Sequence, residues 1–170
     1  MSVDAQPRSS AEPATFAVCF HEWFPRVGRT AAFVARDPVL GPDIAQEAFT
    51  RLYERWDRME SPEHAKHFVY RVAVNLARSH LRRRIAAPFG LVGPERPEAD
   101  HAARSDDWLV LADALGAVSP RQRTCIVLID YAGLDVASVA RVLGMQPGTV
   151  RMHLSRGRRA LRDRLTEEGR

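Results

Sequence analysis

The 170-residue sequence has few cysteines and no long apolar run. Its two cysteines, Cys19 and Cys125, lie far apart in apolar surroundings and lack the paired spacing of a zinc site, so we expect buried free thiols. No apolar run approaches the roughly 18 residues that a membrane-spanning helix needs. The polar N-terminus also lacks the apolar segment of a signal peptide. These absences predict a cytoplasmic protein.

Alternating apolar and polar residues, the pattern of a half-buried strand, are also missing. Apolar residues recur at helical spacing instead, and one stripe in the segment 43–59 consists of Ile44, Ala48, Leu52 and Tyr53. We therefore predict an all-α protein. Its predicted parts are a disordered tail (1–14), a helical domain (15–85), a flexible linker with three prolines and two glycines (86–107) and a second helical domain (108–167).

Lysine is nearly absent: only Lys66 among the 25 basic residues is not an arginine. Arginine abundance alone proves little, but the position of the charge is informative. The segment 106–145 has three arginines and five aspartates, a net charge of −2, whereas 146–164 has six arginines and one aspartate, a net charge of +5. Positive charge concentrated on one segment is typical of a protein that binds a polyanion such as DNA.

The basic segment overlaps the pattern of a helix-turn-helix. Ala140, Gly144 and Val150 have the relative spacing 0, 4 and 10. They supply a small residue for close helix packing, a glycine for a positive φ in the turn and an apolar residue that seals the helix pair. The sequence therefore predicts that the helix after Gly144 is a recognition helix.

A helical wheel divides this recognition helix into two faces. The residues predicted to face the core are Val150, Leu154, Leu161 and Leu165. The residues predicted to enter a major groove are Arg151, Met152, Ser155, Arg156 and Arg159. The flanking arginines, which we expect to touch phosphate, are Arg158, Arg162 and Arg164.

A second arginine-rich helix lies about seventy residues upstream, with Ser61 as its predicted N-cap and Pro62 at its first position. Its polar stripe consists of Arg71, Asn75, Arg78, Ser79 and Arg82, and its apolar side of Val69, Val72, Ala73, Leu76 and Ala77. Phe68 and Tyr70 are open to two roles, as core residues or as platforms on which the bases of a single strand stack.

Three blocks in this order resemble the extracytoplasmic-function (ECF) sigma factors of bacterial RNA polymerase. "DIAQEAFTRLYERW" is similar to a helix of the family's conserved region 2, and "HFVYRVAVNLARSHLRRR" to the adjacent segment, which melts and reads the promoter −10 element. The segment 115–165 is similar to region 4, which reads the −35 element. The sequence departs from the family at Phe68, Ser79 and Ser119, where tryptophan, aspartate and leucine are common, and 135–140 lacks the common Glu-Ile-Ala.

The resemblance implies partners and site residues. The implied partners are core RNA polymerase (its β and β′ subunits), promoter DNA and, as in many members, an anti-sigma factor. It implies no enzyme activity, no cofactor and no metal. The surface for core polymerase would consist of Asp43, Gln46, Glu47 and Arg51. The −10 surface would consist of Arg71, Asn75, Arg78 and Arg82, and a loop from 57 to 67 would cradle a flipped base. The predicted recognition-helix residues would read the −35 element.

Two other classes of protein fit parts of the sequence. A helix-turn-helix repressor or activator would explain the C-terminal half but not the region 2 block, and it would normally dimerise to read two half-sites. An enzyme could use His64 and His67 as metal ligands one helical turn apart, but the sequence suggests no third ligand. A gel-shift assay separates the first class, since a repressor binds DNA without polymerase, and metal analysis separates the second.

Overall fold

The computed structural model describes residues 13–86 and 106–168, which form seven α-helices and, within those ranges, no strand. The helices are α1 (Pro13–Ala35), α2 (Leu40–Tyr53), α3 (Pro62–Ala86), α4 (Asp106–Gly116), α5 (Pro120–Ile126), α6 (Val136–Leu143) and α7 (Pro147–Glu168). A short 3₁₀ helix (Trp56–Arg58) precedes α3, and a π-helical segment (Val127–Tyr131) continues α5. The all-α prediction is confirmed.

The predicted tail (1–14) and linker (86–107) lie outside the described residues except at their ends. There α1 already begins at Pro13, α3 includes Ala86, and α4 begins at Asp106. The helices thus extend one or two residues into both segments, and the flexibility of tail and linker stays a prediction. None of the described helices combines the length and the apolar character that crossing a membrane requires.

Side-chain caps explain where two of the helices begin. The hydroxyl of Ser61 accepts a 3.1 Å hydrogen bond from the N–H of His64, and Pro62 is the first residue of α3, as predicted. At α5 the hydroxyl of Ser119 accepts from the N–H of Gln122, whose side-chain oxygen accepts from the N–H of Ser119 at 3.1 Å. This reciprocal capping box gives Ser119 a role that a leucine could not fill.

The helices α1, α2 and α3 pack around a common apolar core that includes Phe49, Leu52 and Tyr70, each at most 1% exposed. Burial of one such side chain contributes roughly 1.5–3 kcal/mol. The rest of the predicted stripe on α2 is buried too, but the prediction for Tyr53 is wrong, since Tyr53 is 65% exposed. At about 100° per residue Tyr53 lies about half a turn from Ile44, so it leaves the stripe.

The remaining helices form a second unit that packs directly on the first. Its core includes Leu128, Val139 and Val150. Between the units, Phe33 of α1 stacks on Trp108 of α4 with ring centroids 5.6 Å apart and meets Tyr131 of the π-helical segment edge-on at 5.6 Å. The two units therefore share apolar contacts in this arrangement.

Both cysteines have the environment that the sequence predicted. Cys19 and Cys125 are buried free thiols, and Cys125 is 0% exposed. Burial raises the pKa of the Cys125 thiol to about 11. Because the thiolate is the reactive form, Cys125 is a core residue without nucleophilic character near neutral pH.

Candidate DNA and polymerase interfaces

The helices α6 and α7 form the predicted helix-turn-helix. The side chain of Asp135 caps α6, since its Oδ1 accepts a 2.7 Å hydrogen bond from the N–H of Ser138. Gly144 ends the helix in the left-handed conformation, with φ +63°. Ala140 and Val150 are both buried, so the small and the sealing positions lie where the sequence predicted them.

The outward face of α7 carries the residues that the sequence assigned to a major groove. All of them are exposed: Arg151, Met152, Ser155, Arg156 and Arg159. On the opposite face Val150 and Leu154 are buried and Leu161 is half-buried. The prediction that Leu165 faces the core is wrong, because Leu165 is 43% exposed. With 22 residues, α7 extends past the seven-residue α5 on which it packs.

Two of the three flanking arginines on α7 are paired with carboxylates. Arg158 donates from Nε to Oδ2 of Asp130 at 3.1 Å and from Nη2 to Oδ1 of the same carboxylate. Nη2 of Arg164 lies 3.4 Å from Oδ2 of Asp113. Arg162 is exposed. The free protein thus holds Arg158 and Arg164 in contacts that sequence reasoning did not foresee.

Gly157 is a position that sequence reasoning missed. It is buried, and a Cβ atom there would lie 2.8 Å from Cδ1 of Ile126 and 3.0 Å from Cβ of Gln122. Such distances are shorter than normal van der Waals contact, so a larger residue at this position would require Ile126 and α5 to shift away from α7. Its spacing could have revealed it, because Gly157 lies seven residues, or two turns, after Val150 on the same face.

Arg123 on α5 is a second residue that the sequence did not single out. It is 3% exposed, and its guanidinium donates hydrogen bonds to the backbone carbonyls of Leu115 (2.8 Å) and Val118 (3.3 Å). The Leu115 carbonyl lies in the last turn of α4, where a cation is favourable, and Val118 lies two residues past the end of that helix. Burial lowers the pKa of Arg123 to about 10, so it stays charged at neutral pH. Arg123 is a structural residue.

On α3 the predicted polar stripe is open to solvent over most of its length. Arg71, Asn75 and Arg82 are exposed, whereas Arg78 is half-buried. The residues buried on the other side include Val69, Ala73 and Ala77. The helix thus separates a polar, basic face from an apolar one, as the sequence predicted.

The two aromatic residues of this helix have different environments. Tyr70 is completely buried, and burial raises the pKa of its hydroxyl, so it is a core residue. Phe68 is half-buried, and the guanidinium carbon of Arg55 lies 5.6 Å from its ring centroid. Of the two aromatic residues, Phe68 is therefore the one whose ring is partly accessible beside the basic stripe.

Most of the loop expected from 57 to 67 is helical. Only residues 59–61 lie between the 3₁₀ helix and α3, so the prediction of a long loop is wrong. The two histidines of this region have different neighbours: Nδ1 of exposed His64 accepts from the N–H of Glu60, whereas buried His67 lies 3.7 Å from Glu63. Within the described ranges no group of three His, Cys, Asp or Glu side chains could hold a metal ion.

The basic stripe of α3 also meets the second unit. Nη2 of Arg71 donates a 2.8 Å hydrogen bond to the backbone carbonyl of Arg141 on α6. Nη2 of Arg141 in turn lies 3.6 Å from Oε1 of Glu63 on α3. Further along α3, Arg78 and Arg82 line a cleft of about 390 Å³. Its opposite wall is formed by residues 119–121 at the start of α5.

The outer face of α2 carries the residues predicted to contact polymerase. All four are exposed: Asp43, Gln46, Glu47 and Arg51. Arg51 and Glu47 form an ion pair one turn apart, which keeps both side chains on this face. The opposite face is buried in the core of the first unit. This helix thus presents a polar surface supported by a rigid apolar one.

The fold and these surfaces define a DNA-binding protein with a helix-turn-helix and a second basic helix. Comparison of the sequence with known families narrows the class. Residues 19–85 match the family "Sigma-70 region 2" and residues 108–161 match "Sigma-70, region 4". The RNA polymerase sigma-E factor of Streptomyces coelicolor is 32% identical over 138 residues, covering 81% of this chain and 78% of the relative.

A second relative and a solved structure agree. The ECF RNA polymerase sigma factor SigL of Mycobacterium tuberculosis is 29% identical, covering 95% of this chain and 94% of the relative. The structure of CnrH in complex with the cytosolic domain of CnrY has the same fold, with a TM-score of 0.72, 20% identity and coverage of 94% and 93% of the two chains. The chain belongs to the ECF sigma factors of RNA polymerase, and it directs promoter-specific transcription initiation.

Proposed function

We propose that α7 reads the −35 element of the promoter through its exposed face. The observation that carries this proposal is the division of α7 into two faces. Val150 and Leu154 are buried on one side, and the exposed residues Arg151, Met152, Ser155, Arg156 and Arg159 lie on the other. Arginine can donate two hydrogen bonds to guanine in the major groove, and an apolar group such as the Met152 side chain suits a thymine methyl.

We propose that the polar stripe of α3 holds the −10 element after strand separation. Arg71, Asn75, Arg78 and Arg82 would contact the melted strand, with arginines on phosphate and the Asn75 amide on a base or sugar. Support comes from the exposure of Asn75 and from the two arginines that line the cleft beside it. In the described arrangement Arg71 of α3 is hydrogen-bonded to α6. The two helices would therefore have to separate at this bond before all four residues could contact DNA.

The remaining assignments follow from family membership. Asp43, Gln46, Glu47 and Arg51 would dock on the clamp helices of core polymerase, and the factor would act in the cytoplasm without catalysing a reaction itself. Two proteins of the same fold have been solved with protein partners, CnrH with the cytosolic domain of CnrY and the sigma factor RpoE of Bartonella quintana with the anti-sigma factor NepR. An anti-sigma factor is therefore a partner that we propose for this chain too.

Run-off transcription with core polymerase tests the DNA assignments. Arg151→Ala should weaken promoter binding by roughly 1–3 kcal/mol and relax preference at one −35 base. Asn75→Ala should leave closed-complex binding nearly intact but impair strand opening, which permanganate footprinting detects. Normal opening by Asn75→Ala together with an unchanged base preference of Arg151→Ala would contradict the proposal.

A further inference from the structure

The contact between Arg158 and Asp130 differs from the ion pair of Arg164 with Asp113 on the same helix. Arg158 uses two guanidinium nitrogens on both carboxylate oxygens, with Nε 3.1 Å from Oδ2. This bidentate geometry fixes the orientation of the two groups relative to each other, whereas a single contact between two charges does not. The hydrogen bond to Asp130 also raises the pKa of Arg158 above its usual value. In the sequence Arg158 lies between Arg156 and Arg159, which are predicted to contact DNA. Its guanidinium, however, contacts Asp130 of the protein.

Asp130 lies on a rigid part of the second unit. It belongs to the π-helical segment, in which Val127 and Leu128 are at most 1% exposed. A side chain that bonds to Asp130 is thus tied to the core, although the pair itself is partly exposed to solvent. Partly exposed ion pairs contribute little to stability, so the importance of this pair lies in its geometry.

The apolar contacts of α7 leave its rotation less well defined. Gly157 sets the depth of α7 against α5, because a Cβ atom there would lie 3.0 Å from Cβ of Gln122. Apolar contacts such as that of Leu154 are not directional, so a directional contact at the side of α7 adds a constraint on its rotation. A rotation of about 20° moves a point about 5–6 Å from the helix axis by about 2 Å. A base-edge hydrogen bond does not survive a displacement of that size.

We propose that Asp130 and Arg158 form a positioning pair that fixes the rotation of α7 about its axis and so sets which −35 bases its exposed face reads. Arg158 then acts through the orientation of α7 and does not contact a DNA phosphate. This inference rests on the proposed −35 role of α7. It replaces the phosphate contact that the sequence suggested for Arg158.

The two roles of Arg158 predict opposite effects of freeing it from Asp130. The experiment measures binding of the full chain with core polymerase to a library of −35 variants at several salt concentrations. Asp130→Asn removes the carboxylate without touching α7. If the pair positions α7, this substitution should reduce the preference for the best −35 sequence over single-base variants by roughly 3- to 10-fold. For comparison, one mismatched base pair normally weakens binding by roughly 5- to 150-fold. Arg158→Ala should broaden the preference to the same extent.

The slope of log affinity against log salt gives an independent readout. It should stay at the wild-type value in Arg158→Ala and flatten by about 0.9 in Arg162→Ala, if Arg162 is the phosphate contact. A slope flatter by about 0.9 in Arg158→Ala, together with tighter binding by Asp130→Asn at the wild-type slope, would show that Arg158 contacts phosphate and would overturn the proposal. An unchanged base preference in both variants would overturn it as well.

Matched controls separate these effects from charge and from the −35 assignment itself. Asp163→Asn removes one negative charge, as Asp130→Asn does, but from α7 itself. It should leave the base preference unchanged. The exchange of both residues, Asp130→Arg with Arg158→Asp, keeps the net charge and should restore part of the lost preference. If Arg151→Ala alters the base preference and Asp130→Asn does not, the positioning role is wrong but the −35 assignment of α7 stands. If Arg151→Ala leaves the base preference unchanged, the −35 assignment itself is wrong.

Discussion

The guanidinium of Arg71 on α3 donates a hydrogen bond to the backbone carbonyl of Arg141 on α6, across 2.8 Å. The two residues are 70 positions apart in the sequence. One belongs to the predicted −10 surface and the other to the first helix of the helix-turn-helix. In this arrangement the two units hold each other, and Arg71 would have to give up this bond to take its proposed role on a DNA strand.

Replacement of Arg141 tests what holds α6 against α3. In Arg141→Glu a carboxylate replaces the guanidinium that now lies 3.6 Å from Glu63, so attraction becomes repulsion. We expect faster hydrogen–deuterium exchange in α6, with exchange in α2 unchanged. Arg151→Glu makes the same charge change on the exposed face of α7 and serves as the control. Equal exchange in Arg141→Glu and the wild type would mean that the ion pair with Glu63 does not hold α6, leaving the hydrogen bond from Arg71 and the apolar contacts.

The buried His67 predicts a dependence of stability on pH. It lies among Glu63, His64, Asp135 and Arg141, and burial, followed by the charge of Arg141, lowers its pKa below the usual 6.5. Because the unfolded chain takes up this proton more readily than the folded protein, the free energy of unfolding should fall as the pH drops below about 6.5. Above that pH both states are neutral at this position and the effect vanishes.

Urea unfolding at pH 7.5 and pH 5.5 measures this effect. The wild type should lose more stability between the two pH values than His67→Gln, whose side chain does not titrate. The exposed His64 supplies the comparison, since His64→Gln should retain the wild-type pH dependence. An identical pH dependence in His67→Gln and the wild type would rule out His67 as the source.

Two adjacent residues of α2 should respond very differently to truncation. Leu52 is 0% exposed, and Leu52→Ala should lower the free energy of unfolding by about 2–5 kcal/mol because it leaves a cavity. Tyr53 is 65% exposed and touches the ring of Phe16 edge-on, so Tyr53→Ala should cost at most about 1.5 kcal/mol. Thermal or urea unfolding decides. Similar losses for the two variants would support the stripe that the sequence predicted.

The outer face of α2 should matter for polymerase and little for the fold. Simultaneous replacement of Gln46 and Glu47 by alanine removes two exposed polar groups and one ion pair, with a cost to the helix of roughly 0.2–0.5 kcal/mol. Pull-down with core polymerase should show weaker binding, while circular dichroism should show an unchanged helix content. His21→Ala with Glu22→Ala, on the exposed side of α1, is the matched control. Unimpaired capture of polymerase would exclude this face.

Local patterns of the sequence were sufficient for the helix ends and for the faces of single helices. Ser61 and Pro62 begin α3, Gly144 ends α6, and Val150 is buried opposite Arg151, all as predicted. These features depend on residues within one or two helical turns of each other. The error at Tyr53 came from including a residue that lies half a turn from the stripe. The error at Leu165 came where α7 outruns its neighbour, because periodicity does not show where the covering helix stops.

The sequence by itself determined the class of this protein, its all-α fold and the separation of α7 into a sealed and a basic face. Only the tertiary structure decided that Arg158 faces Asp130, 28 positions away, and that Arg71 reaches α6. The helical wheel placed Arg71 on the polar stripe of α3 and Arg158 at the flank of the basic face of α7, and it named a protein partner for neither. Their partners come from distant segments, and the approach of two segments depends on the packing of the whole core, which local spacing does not encode.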